Sequence, residues 1–142
     1  MTERVLLVDD EEEFLEIMSE RMRARDIEVT TSTSAREALD MIARDSFDAV
    51  IMDFMMPEMN GIEALKVIKE KNPEMQIILL TGHATVEKTV EAMKAGAMDL
   101  IEKPADLDAL AQKIKDAHDQ KTFIVTKKDQ DRVIDALKKF GM

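Results

Sequence analysis

The chain has no cysteine, tryptophan or tyrosine, and in 142 residues it spends only five phenylalanines, four glycines, three prolines and two histidines. Without thiols there can be no disulfide, no thiolate metal site and no cysteine nucleophile. Two histidines cannot build an imidazole-rich metal cluster, so any metal would have to be held by oxygen. No apolar run approaches the ~20 residues needed to cross a bilayer. The opening Met1-Thr2-Glu3-Arg4 leads through a short apolar run straight into acids, unlike a secretory signal. Positive charge is also scarce: 20 Lys and Arg stand against 30 Asp and Glu, a formal charge of −10. That balance argues against direct nucleic-acid binding, which needs clustered cations for the phosphates. The expectation is a soluble, cytoplasmic protein with no membrane association.

What is present is enough for one core. Hydrophobic residues make up 45% of the chain, and the length suits one domain. The charge is uneven: residues 1–120 carry 14 basic and 27 acidic side chains, residues 121–142 carry 6 and 3. The break points to a main domain over 1–120 and a C-terminal extension over 121–142, in which a short apolar stretch, Phe123–Val125, precedes an amphipathic helix, Asp129–Phe140.

Five apolar runs recur at spacings of twenty-odd residues: Val5–Val8, Ile27–Thr31, Ala49–Met52, Gln76–Leu80 and Met98–Ile101. Runs that are apolar throughout suit strands covered on both faces of a parallel sheet. Between them lie helical stripes: Phe14, Ile17, Met18 and Met22; Ala35, Ala38, Leu39 and Ile42; Ile62, Leu65 and Ile68; Val86, Val90 and Met93; Leu107, Leu110, Ile114 and Ala117. Ser34 with Glu37, and Asn60 with Glu63, have capping-box spacing, and Gly96 stands where a left-handed C-cap belongs. Strict alternation of this kind predicts an α/β doubly wound fold, an open parallel sheet with helices on both faces.

Ligands of such sheets bind beyond the carboxyl ends of the strands. There the first strand ends in Asp9-Asp10, with Glu11 following, the third in Asp53, the fourth in Thr81 and the fifth in Lys103-Pro104. Two carboxylates 4 Å apart repel by roughly 4 kcal/mol at an effective dielectric near 20, so a proton or a cation must relieve the cluster. With oxygen ligands alone, Mg²⁺ fits best, because it keeps several waters and needs few carboxylates; Mn²⁺ could replace it. The competing reading is that Asp9–Glu13 only cap the first helix and oppose its dipole. For Glu11–Glu13 that reading is preferred. For Asp9-Asp10, the matching strand ends favour a metal site.

The runs VLLVDDEEEF and VIMDFMMPEMNG, the pair Thr81-Gly82 and the run AGAMDLIEKP together resemble the receiver domain of bacterial two-component response regulators, over about residues 4–120. The resemblance implies a flavodoxin-like (βα)₅ fold with strand order 2-1-3-4-5. It implies that Asp53 accepts a phosphoryl group from a phosphohistidine on a sensor histidine kinase or phosphotransfer protein. Asp10 and Asp53 would bind Mg²⁺ directly with the backbone carbonyl of Met55, and Asp9 would act through metal-bound water. Thr81 would be the switch hydroxyl and Lys103 the cation paired with the phosphoryl group, with a cis peptide before Pro104. Self-catalysed transfer and hydrolysis would be the only chemistry, and the output would pass to an effector or a second copy.

One position departs from the family, and two lie where its members vary. Leu100 replaces the usual aromatic three residues before the lysine, so it is expected to pack rather than swing. Met55 cannot orient water, which predicts a longer-lived phosphoryl group; His83 is a modulating position or a solvated loop residue. His118 is expected to be a surface residue without a partner. Met56 and Met59 are expected to pack, and Pro57 and Gly61 to shape the turn. Two rival functions stand beside the switch: a haloacid-dehalogenase-like aspartyl-phosphate hydrolase, which would want an acid where Met55 stands, and a pseudo-receiver that only binds proteins.

Overall fold

The computed structural model describes residues 2–103 and 106–139, apart from the side chains of Lys121, Val125 and Thr126; the expected cis peptide before Pro104 lies outside these residues. The strands are β1 (Arg4–Val8), β2 (Glu28–Ser32), β3 (Ala49–Asp53), β4 (Gln76–Thr81) and β5 (Asp99–Glu102). They alternate with α1 (Glu12–Arg23), α2 (Ala35–Arg44), α3 (Gly61–Lys71), α4 (Val86–Ala95) and α5 (Leu107–Lys139). All neighbouring strands are parallel, in the order β2-β1-β3-β4-β5. β3 and β4 are buried at every position and β1 at all but Arg4, as continuous apolar runs require, whereas the edge strands β2 and β5 are only partly covered.

Successive residues of a strand face opposite sides of the sheet. Leu6, Val8, Val50, Met52, Ile77 and Leu79 therefore join α2, α3 and α4 in one core, while Val5, Leu7, Ile51, Ile78 and Leu80 join α1 and α5 in the other. Each fully buried aliphatic side chain contributes roughly 1.5–3 kcal/mol, so the sheet is a stiff platform for whatever its carboxyl edge carries. The helix signals act as expected. Ser34 Oγ accepts from Glu37 N at 3.2 Å. Asn60 accepts from Glu63 N at 2.9 Å and donates back to its carboxylate at 3.0 Å. Gly96 closes α4 at φ 103°, a left-handed conformation open to glycine at low cost.

Four expectations need correcting. The buried face of α1 is Leu15, Met18, Ser19 and Met22; Phe14 is half-buried and Ile17 turns outward. The Val86, Val90 and Met93 stripe of α4 is exposed, because α4 sets its small side toward the sheet: Ala92 is the buried residue of this helix. The extension is not a separate helix, since α5 runs unbroken through Phe123 to Lys139. Finally, His118 is partnered: its Nδ1 lies 2.6 Å from Asp48 Oδ1, while Asp48 Oδ2 accepts from Arg4 N at 2.7 Å. This pair pins α5 to the segment that enters β3. Leu100, Met56 and Met59 pack against the core as expected.

Candidate functional site

Four parallel strands deliver the site. β1 and β3 pair through Val8 and Met52, so the residues that follow, Asp9 and Asp53, emerge side by side at the carboxyl edge. β4 pairs with β5 through Thr81 and Glu102, which brings Lys103 to the same edge, its N–H donating to Thr81 O at 2.7 Å. Carboxylate oxygens of Asp9, Asp10, Glu11 and Asp53 all lie within 4.8 Å of one another. Glu11, expected to serve only as a helix-end acid, belongs to this group. It holds the N-cap position of α1 but makes no side-chain cap bond.

Lys103 is the cation of the cluster. Its Nζ donates to Asp9 Oδ2 at 2.6 Å and to Asp53 Oδ2 at 3.5 Å, and stands 3.9 Å from Glu11 Oε1. The ring of Phe14 lies beneath it, 4.4 Å from Nζ to the centroid, a contact that steadies a cation whose other side faces acids. Sequence reasoning placed Phe14 in the core and missed this role. A ring four residues after Asp10 on the first turn of α1 is the signal that could have suggested it.

The two central acids differ in solvation. Asp9 is fully buried, with Oδ1 accepting from Glu11 N at 2.9 Å. Asp53 is 8% exposed, and its Oδ1 accepts from Met55 N at 3.3 Å. Burial pushes the Asp53 carboxyl above its ordinary range and the neighbouring Asp9 charge pushes the same way; the Met55 amide and Lys103 only partly offset them. For Lys103, burial would lower the pKa, but the Asp9 hydrogen bond and the charges of Asp53, Asp9 and Glu11 outweigh it, and the net shift is upward. One ammonium among four carboxylates leaves the edge strongly anionic. Hard oxygens at this spacing, with one acid short of compensation, suit a small divalent cation.

Thr81 closes the site from the β4 side. Its hydroxyl is 3.3 Å from both the backbone O and the backbone N of His83, and Lys88 Nζ holds the same His83 O at 2.8 Å. Ala84 N in turn donates to Glu102 Oε2 at 3.0 Å. The loop before α4 is therefore tied to Thr81 at one end and to β5 at the other. The side chains of His83 and Met55 are exposed.

The loop after Asp53 folds back so closely that Gly61 N donates to Phe54 O at 2.7 Å. A Cβ at Gly61 would sit 2.9 Å from Asp53 O and 3.0 Å from Phe54 Cα, both backbone atoms that cannot swing aside. Gly61→Ala is expected to cost about 1–3 kcal/mol in denaturant unfolding and to shift the amide resonances of Asp53 and Phe54. An unchanged midpoint would show that the loop can give way.

Residues 5–115 match the response regulator receiver domain family. The chain is 37% identical over 113 residues to the transcriptional regulatory protein ZraR of Escherichia coli, covering 80% of this chain and 26% of that protein. It is 40% identical over 107 residues to the regulatory protein AtoC of the same organism, covering 75% and 23%. It thus spans about a quarter of the length of these relatives. A response regulator receiver domain from Clostridium thermocellum superposes with a TM-score of 0.81 at 32% identity, over 86% of this chain and 98% of that one. The chain belongs to the response regulator receiver domains of two-component signalling.

Proposed function

We propose that the protein is a phosphorylation-dependent switch in which Asp53 takes a phosphoryl group from the phosphohistidine of a sensor kinase or phosphotransfer protein. The observation that carries this reading is the pairing of one under-compensated, slightly exposed carboxylate with a half-buried lysine at the carboxyl edge of the sheet. An Asp53 oxygen forms the new P–O bond as the P–N bond to histidine breaks, leaving an acyl phosphate and a neutral imidazole after protonation. Phosphoryl transfer asks chiefly for positioning and for neutralising charge on the equatorial oxygens. Lys103 sits within reach to supply part of that charge. Asp10, Asp53 and the Met55 carbonyl are the groups we assign to Mg²⁺, with Asp9 acting through a water; the ion would neutralise phosphoryl charge.

The readout begins at Thr81. To bond a phosphoryl oxygen its hydroxyl must leave His83, which frees a loop otherwise held by Lys88 and Glu102. Phosphorylation then shifts an existing equilibrium by a few kcal/mol rather than building a new fold. Leu100 contributes packing, not a swinging ring. A hydrolase of the haloacid-dehalogenase type is disfavoured, because the residue two beyond Asp53 is Met55, an exposed thioether with no acid to offer. The same gap predicts slow loss of the phosphoryl group: Met55→Asn is expected to hydrolyse faster, read from the decay of phosphoprotein after the donor is removed. Equal rates would dispose of the idea.

The reading extends to output. Phe123, Val133, Ile134 and Leu137 leave an apolar stripe bare on the outer half of α5, and self-association is the use we assign to it. Sedimentation at rising concentration should reveal a dimer that Leu137→Glu dissociates. The signal to α5 and α4 would pass to an effector protein or to the second copy. Transfer to Asp53 is tested by incubation with Mg²⁺ and a small acyl phosphate, which should add one phosphoryl mass.

A further inference from the structure

A groove with a volume of about 490 Å³ lies away from Asp53, between α1 and the edge strand β2. Along one wall run Glu12, Glu16 and Glu20, one helical turn apart, and along the other Thr31 and Thr33. Like charges at this spacing weaken a helix, and among the described residues none of the three glutamates has an ion-pair partner within 4 Å. The floor holds a second unpaid cost. Ser19 is 3% exposed, and its Oγ has no hydrogen-bond partner, although buried hydroxyls are nearly always satisfied. The third feature is the sheet edge itself. Among the described residues β2 pairs only with β1, and Ser32 O is used inward by Asp9 N. By alternation Thr31 therefore turns its backbone groups to the open side. Arg23 closes the lower end, its Nη2 donating to Val29 O at 3.2 Å.

We propose that this groove docks an extended, lysine- or arginine-bearing segment of a partner protein. Its cations would lie against Glu12, Glu16 and Glu20, its backbone along the free edge of β2, and a polar group would reach Ser19 Oγ. Charge complementarity selects the occupant: the wall carries three carboxylates, and Arg23, the one cation lining the groove among the described residues, is drawn to the strand at its foot. Backbone pairing at a sheet edge supplies affinity and the flanking side chains supply selectivity. The site is independent of Asp53, so it binds without phosphorylation, and its failure would leave the switch reading untouched.

The test uses the full chain, isotopically labelled, titrated with a short blocked peptide of alternating lysine and valine. Saturable shifts are expected in the amides of Leu15–Arg23 and Glu28–Thr33. Affinity should fall about tenfold or more in the double variant Glu16→Gln/Glu20→Gln, and also in Ser19→Ala. The matched variant Glu87→Gln/Glu91→Gln, which removes the same charge at the same spacing from α4, should bind as the wild type does. Because Glu16 and Glu20 are exposed, their variant should melt no lower than the parent, which separates lost docking from lost folding. Equal losses in the two double variants would reduce the effect to diffuse attraction by an acidic surface and overturn the proposal. Shifts confined to Asp9, Asp10 and Asp53 would overturn it too, as would spermine reproducing the peptide's shifts at equal affinity.

Discussion

Asp53→Asn is expected to abolish phosphoryl uptake from a small acyl phosphate, with no added mass after an incubation that fully labels the wild type. The amide keeps the shape of the side chain but is no nucleophile toward phosphorus. Uptake undiminished in this variant would place the acceptor elsewhere and sink the switch reading. The same substitution has a second, opposite effect on stability. Burial and the Asp9 charge raise the folded-state pKa of Asp53 above the ordinary 3.8. The folded protein therefore holds a proton there more tightly than the unfolded chain does. The resulting penalty is absent well below 3.8, grows as pH rises toward the elevated folded value, and is complete above it. In chelator-treated buffer Asp53→Asn should thus melt higher than the wild type at pH 7, and the gap should close as the solution is acidified. Loss of labelling with no gain in melting temperature would mean that Asp53 is less strained by its neighbours than its burial implies.

Removing the cation should act in the opposite sense on stability and in the same sense on labelling. Lys103→Ala leaves Asp9 fully buried with only the Glu11 amide as donor, and leaves Asp53 facing it. Breaking a buried ion pair from one side costs about 3 kcal/mol or more, and losing a charge-stabilising donor costs about 10²–10³ in rate. We expect a large drop in chelator-treated thermal stability, partly recovered by millimolar Mg²⁺, and phosphoryl transfer slower by that factor. Lys103→Arg should keep much of the stability, because the charge stays. The pH dependence follows from the upward shift of the Lys103 pKa. Its contribution is full below the unfolded value of 10.5 and fades as pH rises through the higher folded value, so wild type and Lys103→Ala should converge in strong alkali. A variant as stable as the parent at pH 7 would show that the buried acids do not depend on this cation.

The strand pattern was legible because burial on both faces leaves no polar alternation: every apolar run became a strand with its bounds shifted by about one residue. The carboxyl-edge rule then put Asp9, Asp53, Thr81 and Lys103 together without any side-chain geometry. Periodicity failed where side-chain size mattered more than polarity. In α4 the valines looked like the core face, yet the helix lies against the sheet through Ala92, and the larger residues were left outside. In α5 the change in charge at residue 121 has no counterpart in the backbone, which stays helical from Leu107 to Lys139. Contacts between residues far apart in sequence were invisible: nothing near His118 names Asp48, and nothing near Gly61 announces the backbone of Asp53 against it.

The shallow seating of α4 has a further consequence. Between Thr81 and Glu102 the chain is secured by few large side chains, with Ala92 the one buried residue of α4 and β5 without a single fully buried position. Local opening is cheapest where little apolar area must be uncovered, so amide protons of α4 and β5 should exchange with deuterium sooner than those of β1, β3 and β4. If Thr81 reads the phosphoryl group as proposed, its signal would enter this lightly packed segment, while the central strands beneath Asp9 and Asp53 stay rigid.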